Sequence, residues 1–144
     1  MKGDPMSMNG IFIFIAGLFS LGLGIFHIPP VWRIFFPGWS QEISALGLLH
    51  RKLIDTILVA LALMLFLLAL ISIGYSEELA RGEGLAGGFS AALAAFWLWR
   101  ALWQLVFFPP SKIEHNAALL VLNYSVVAVS FANAVFYFLP FAAG

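Results

Sequence analysis

Four long apolar runs, at 11–28, 53–75, 85–108 and 117–139, leave this chain few ways to fold. Each is close to the ~17–25 residues that carry a helix across a hydrocarbon layer of ~30 Å. A spanning helix closes its backbone hydrogen bonds within itself, as lipid requires. None of the runs alternates apolar and polar residues as a strand of a membrane barrel would. Composition agrees: 62% of residues are hydrophobic and 10% are charged, against about a quarter charged in a soluble domain. A soluble core of this size could not hide so much apolar surface. The expected fold is all-α: an integral membrane four-helix bundle, up-down-up-down, forming one domain over 1–144. An interfacial aromatic segment is expected between helices 1 and 2.

The connections support that order. The longest, 29–52, mixes Trp32, Phe35, Phe36 and Trp39 with Arg33, Gln41 and Glu42. Aromatic rings with a few charges suit the headgroup layer. A helix beginning near Ser40, with Ser40 as N-cap, is expected to run into the second span. The connections SEELARGEG (76–84) and 109–116 are short, so they join antiparallel neighbours. The first run ends in Pro29-Pro30 and is longer than the apolar region of a secretion signal, so it reads as a retained span. Arg33, Arg51, Lys52 and Lys112 fall on the side of the first and third connections, Lys2 and Arg81 on the other. The positive-inside rule then puts both termini outside a bacterial or archaeal cytoplasmic membrane.

Charge and cysteine content exclude several classes. Seven basic and seven acidic residues balance, so no basic patch suits nucleic acid. With no cysteine, thiolate metal sites and dithiol redox chemistry are ruled out. The residue sets of glutamate-type membrane proteases, membrane phosphatases and serine proteases are missing from the spans.

In lipid, helices associate through close packing and interhelical hydrogen bonds, so small and polar stripes mark inward faces. Span one carries Gly17, Ser20, Gly24 and His27 at intervals of three and four. Span four carries Asn116, Asn123, Ser130 and Tyr137 every seven residues, with Asn133 beside them. In span three, Trp97, Arg100, Gln104 and Phe107 share a face. The topology gathers His27, His50, Asp55, Arg100, Gln104, Glu114, His115 and Asn116 at one end of the bundle.

Arg100 is the costliest of these residues. It lies eight residues before Phe108, about 12 Å along a helix. A cation near a helix centre in lipid costs ~2.5–3.5 kcal/mol on insertion scales. Two readings follow: an intramembrane ion pair with Asp55, backed by Gln104, or an anchor for an anionic or carbonyl-bearing ligand. Trp97, Trp99 and Trp103 either offer ring faces to the guanidinium or form an interfacial belt. His27, His50 and His115 are candidate metal or haem ligands, set against the plainer reading of interfacial histidines.

The stretch FWLWRALWQLVFF resembles a pattern in small bacterial four-span membrane proteins of unknown function. The matching positions are Phe96, Trp97, Arg100, Gln104 and Phe107, in the form FW-x-x-R-x-x-x-Q-x-x-F, with Leu79, Ala80 and Arg81 in the preceding loop. The resemblance implies the four-span architecture, points to Arg100 and Gln104, and brings no activity with it. The aromatic, proline-rich first connection departs from the pattern.

The expected protein is therefore a non-enzymatic accessory subunit, or a binder of a lipid or amphipathic ligand in a polar pocket near one membrane face. Arg100, Gln104, Asp55, His27, His50 and Asn123 are the candidate ligand-binding residues. A redox component binding haem b or quinone is the alternative, and a small oligomeric transporter the next. The expected partners are the lipid bilayer and either further copies of the chain or a larger membrane complex.

Overall fold

The computed structural model describes residues 6–108 and 117–142. Among the described residues helices joined by short connections are the regular structure, without strands. In order, the helices are α1 (Met8–Phe26), α2 (Pro29–Phe35), α3 (Pro37–Ala45), α4 (Leu48–Gly74), α5 (Ser76–Ala80), α6 (Gly84–Phe107) and α7 (Ala117–Ala142). Four of them, α1, α4, α6 and α7, are long and apolar enough to cross a membrane. Their exposed faces are apolar as well: Leu63 and Phe131, near the middles of α4 and α7, are 58% and 55% exposed. Helices hydrophobic all round belong in lipid. The all-α, four-span class expected from the sequence is the one adopted.

The chain divides into two compact units, Gly17–Ile71 in one, Met1–Ala16 with Ser72–Gly144 in the other. In the Gly17–Ile71 unit, helix α1 approaches α4 closely at Gly24. A Cβ there would come within 2.9 Å of the Phe66 ring and 3.4 Å of the Ala62 carbonyl. Gly17, Ser20 and Gly24 are all buried, as the stripe in span one predicts.

The connection 29–52 departs from expectation. Prolines start both of its helices: Pro29 and Pro30 open α2, and Pro37 opens α3. Proline lacks the N–H that a first turn leaves unused, and its φ is already helical. Ser40 is therefore interior, its N–H bonded to the Phe36 carbonyl, and the N-cap is Phe36. Nor does α3 run into the second span. Leu46 is extended (φ −71°, ψ 153°) and Gly47 follows, so α4 starts afresh at Leu48, earlier than expected. The Phe26 ring lies 5.5 and 6.0 Å from Phe35 and Phe36, which knits this aromatic segment to the end of α1.

In the other unit α6 and α7 pack along a common seam. Its α6 side is Gly87, Ser90, Leu93, Trp97, Ala101 and Gln104. Its α7 side is Asn123, Ser130, Asn133, Ala134, Tyr137 and Pro140. The spacing is close to seven, as for helices crossing at a shallow angle. The first half of α1 belongs to this unit, with Phe12 stacked on Phe136 at 5.1 Å. Ser7 caps α1, its hydroxyl accepting from Gly10 N–H, while Glu77 of α5 accepts from Ser7 N–H at 2.7 Å. SEELA is thus a short helix, where the sequence suggests only a loop. Its two glutamates sit in the first turn, where the helix dipole favours them. The turn into α6 takes Gly82 at φ 66°, a left-handed conformation that costs other residues.

Candidate functional site

The polar group at the α6–α7 seam is built by helix periodicity. Gln104 and Asn123 both fall on buried faces, at 9% and 4% exposure, so each must find its partners within the protein. They find each other: Gln104 Nε2 donates to Asn123 Oδ1 at 2.7 Å. Asn123 Nδ2 donates in turn to the carbonyl of Phe108, at 3.2 Å. Phe108 is the C-cap of α6, and its own N–H donates to the Gln104 carbonyl. The last turn of α6 is thus tied to the side chain that opens the seam of α7.

Arg100 stands one turn before Gln104 at the rim of this seam. Its guanidinium donates through Nη1 to Gln104 Oε1 at 2.5 Å. Arg100, Gln104, Asn123 and the Phe108 carbonyl form one relay of hydrogen bonds. Beyond Arg100 the helix turns to lipid: Trp99, Trp103 and Phe107 are 52%, 41% and 55% exposed. Their rings touch in series, Trp99 tilted against Trp103 at 5.3 Å and Trp103 stacked on Phe107 at 3.7 Å. Phe107 therefore faces outward, where the sequence reading placed it with Gln104. The buried face of α6 beside Gln104 is completed instead by the small Ala101, three residues earlier and 3% exposed.

Asp55, the acid expected to pair with Arg100, is paired with Arg33 of its own unit. Asp55 accepts from Arg33 Nη2 through both carboxylate oxygens, at 2.7 and 2.9 Å. The prolines that start α2 put Arg33 where it reaches the early turns of α4. This pair is half exposed. Sequence reasoning missed Arg33 as the partner of Asp55, although a cation four positions after Pro29 falls on the first turns of a short helix.

The six candidates fall into two groups, one in each compact unit. Arg100, Gln104 and Asn123 form the relay. Asp55, His27 and His50 belong to the other compact unit. His27 follows the end of α1, and its Nδ1 donates to the Leu23 carbonyl at 2.7 Å. That bond fixes the tautomer and makes Nε2 the acceptor nitrogen of the neutral ring. His50 is exposed in the first turn of α4. His115, with Glu114 and Asn116, lies outside the described residues. Among the described residues no group of three or more His, Asp or Glu side chains could hold a metal ion. An open groove of about 540 Å³ lies in the Gly17–Ile71 unit. Trp32, Ile43, Leu46, Ile54, Leu58 and Leu61 line it, with His27 and Glu42 as its ionisable members.

These features define an all-helical protein with four helices able to cross a membrane, in which a buried amide relay holds an arginine within the third of them. No family model, curated protein or solved structure matches the chain.

Proposed function

We propose that the protein binds an anionic amphipathic ligand, with Arg100 as the anchor for its phosphate or carboxylate. One observation carries the reading: among the described residues Arg100 is supported by a neutral amide and by no carboxylate. The acid expected to neutralise it is occupied by Arg33. A guanidinium presents a planar fork of donors matched to a phosphate or carboxylate. Gln104 occupies one edge of that fork and orients the rest, and Asn123 fixes Gln104. The exposed rings of Trp103 and Phe107, on the same flank of α6, offer a surface for the apolar part of the ligand. The count of basic residues in the connections puts this end of α6 on the cytoplasmic side, the leaflet rich in anionic lipids. A reporter fused at Gly144 should then be found outside.

The test is native mass spectrometry of the detergent-extracted protein, offered phosphatidylglycerol, phosphatidylcholine or inorganic phosphate. Phosphatidylglycerol should be retained at least about tenfold better than phosphatidylcholine, and Arg100→Gln should abolish the difference. Retention of inorganic phosphate at the same strength would identify a free anion as the ligand and remove the lipid. Glu114→Gln should leave retention unchanged. If Arg100→Gln binds as the wild type does, or Glu114→Gln gains about tenfold, Arg100 is not an open anchor.

A further inference from the structure

The α6–α7 seam holds three polar layers at seven-residue spacing. Gln104 with Asn123 is the first. Trp97 lies seven residues before Gln104 and Ser130 seven after Asn123, so in antiparallel helices they share the second. Asn133 is one turn beyond Ser130 on α7. Ser90 and Tyr137, a further seven on, make the third.

The outer layers are satisfied. Gln104 and Asn123 bond to each other. Tyr137 shares its hydroxyl with Ser72 at 2.5 Å, and Ser90 donates to the Leu79 carbonyl at 3.2 Å. The middle layer differs. Trp97 Nε1, Ser130 Oγ and both polar atoms of the Asn133 carboxamide have no hydrogen-bond partner among the described residues. Trp97 is 1% exposed, and Ser130 and Asn133 are 0% exposed. Polar atoms sealed in a span lack bulk water to turn to. The register set by the Gln104–Asn123 bond brings these four atoms, on three side chains, to about the same level of the seam, where they need partners that the described residues do not supply.

The donor set selects the partner they need. The indole offers one donor, the hydroxyl a donor and an acceptor, the carboxamide two donors and an acceptor. All three groups are neutral, so no cation is present to balance an anion. Two neutral oxygens fall well short of the roughly six that a hard cation takes. No group in the layer titrates near neutral pH, so it does not relay protons through its own side chains. Full burial excludes anything much larger than water. Water both donates and accepts, and buried water typically makes about three hydrogen bonds to groups of this kind.

We propose that internal water is bound by Trp97 Nε1, Ser130 Oγ and the Asn133 carboxamide, as a hydrated layer in the middle of the α6–α7 seam. The hydrated layer holds α6 and α7 in one register, because sliding either helix strands its polar groups in an apolar interior. The proposal is independent of a ligand at Arg100.

The full chain, labelled with ¹⁵N in its tryptophan indoles and placed in nanodiscs, supplies the test. Trp97→Phe assigns the Trp97 signal by its disappearance. That indole should show a magnetisation-transfer cross-peak to water despite its burial. In Ser130→Ala/Asn133→Leu, with helical circular dichroism retained, the cross-peak should fall at least several-fold, because water has lost its other ligands. An indole silent toward water in the wild type overturns the proposal. So does a cross-peak that survives the double substitution. If the double variant does not fold, Ser130→Ala and Asn133→Gln are read singly, and an unchanged cross-peak in both overturns it.

Discussion

Two arginines in this chain meet the membrane in opposite ways. Arg33 sits in the Gly17–Ile71 unit, on a short helix between spans, and takes a carboxylate. Arg100 sits within a span of the other unit and takes an amide. The first arrangement neutralises charge where solvent is near and little is at stake. Among the described residues the second leaves the charge in place, with two side chains, Gln104 and Asn123, to aim it. A cation that is positioned but not neutralised is the mark of a site, whereas a neutralised one at an edge is the mark of a clasp. The same division runs through the two units: one is closed by rings and small residues, the other by a ladder of buried amides and hydroxyls.

The contrast can be broken at its strongest point first. Gln104→Leu removes the centre of the relay and strands both Asn123 Oδ1 and Arg100. At ~1–3 kcal/mol for each buried group left unsatisfied, it should cost about 2–6 kcal/mol, read from denaturant unfolding in detergent micelles. A loss near zero would mean that the relay orients nothing. The Gly17–Ile71 unit should be most sensitive to volume instead. Gly24→Ala pushes a methyl group toward the Phe66 ring and the Ala62 carbonyl, and overpacking of this kind typically costs ~1–3 kcal/mol. A gain in stability would show that α1 and α4 separate without penalty. Smallest of all should be Asp55→Asn. The pair it breaks is half exposed, and such pairs contribute about 0.2–1 kcal/mol. The same unfolding measurement, repeated in high salt, should narrow the gap between Asp55→Asn and wild type. A salt-independent loss as large as that of Gln104→Leu would erase the distinction between clasp and site.

Much of the candidate site was legible beforehand, and the failures are specific. Asn123, Ser130 and Tyr137 fall on one face because seven residues are close to two helical turns, and all three are buried. Gln104 follows from the same count. Phe107 was misplaced because an interval of three from Gln104 also fits a helix face, and only the neighbouring helix decides which edge of the stripe is covered. Asp55 was assigned to the wrong arginine for a related reason. Two cations were available to one carboxylate, and nothing local ranks them. The helix expected to run from Ser40 into span two fails at Leu46 and Gly47, where prolines upstream had already set the phase of α3.

Sequence alone determined the medium and the secondary structure. Runs of apolar residues long enough to span a bilayer must be helices there, since lipid offers no other partner to the backbone. It also determined which positions along each helix are polar, because helical periodicity is a local property. Tertiary structure decided the pairings: Arg33 for Asp55, Asn123 for Gln104, Ser72 for Tyr137, and no protein partner among the described residues for Asn133. Those choices depend on the register and approach of helices far apart in the chain. They are fixed by a glycine or a stacked ring as much as by the charges they bring together.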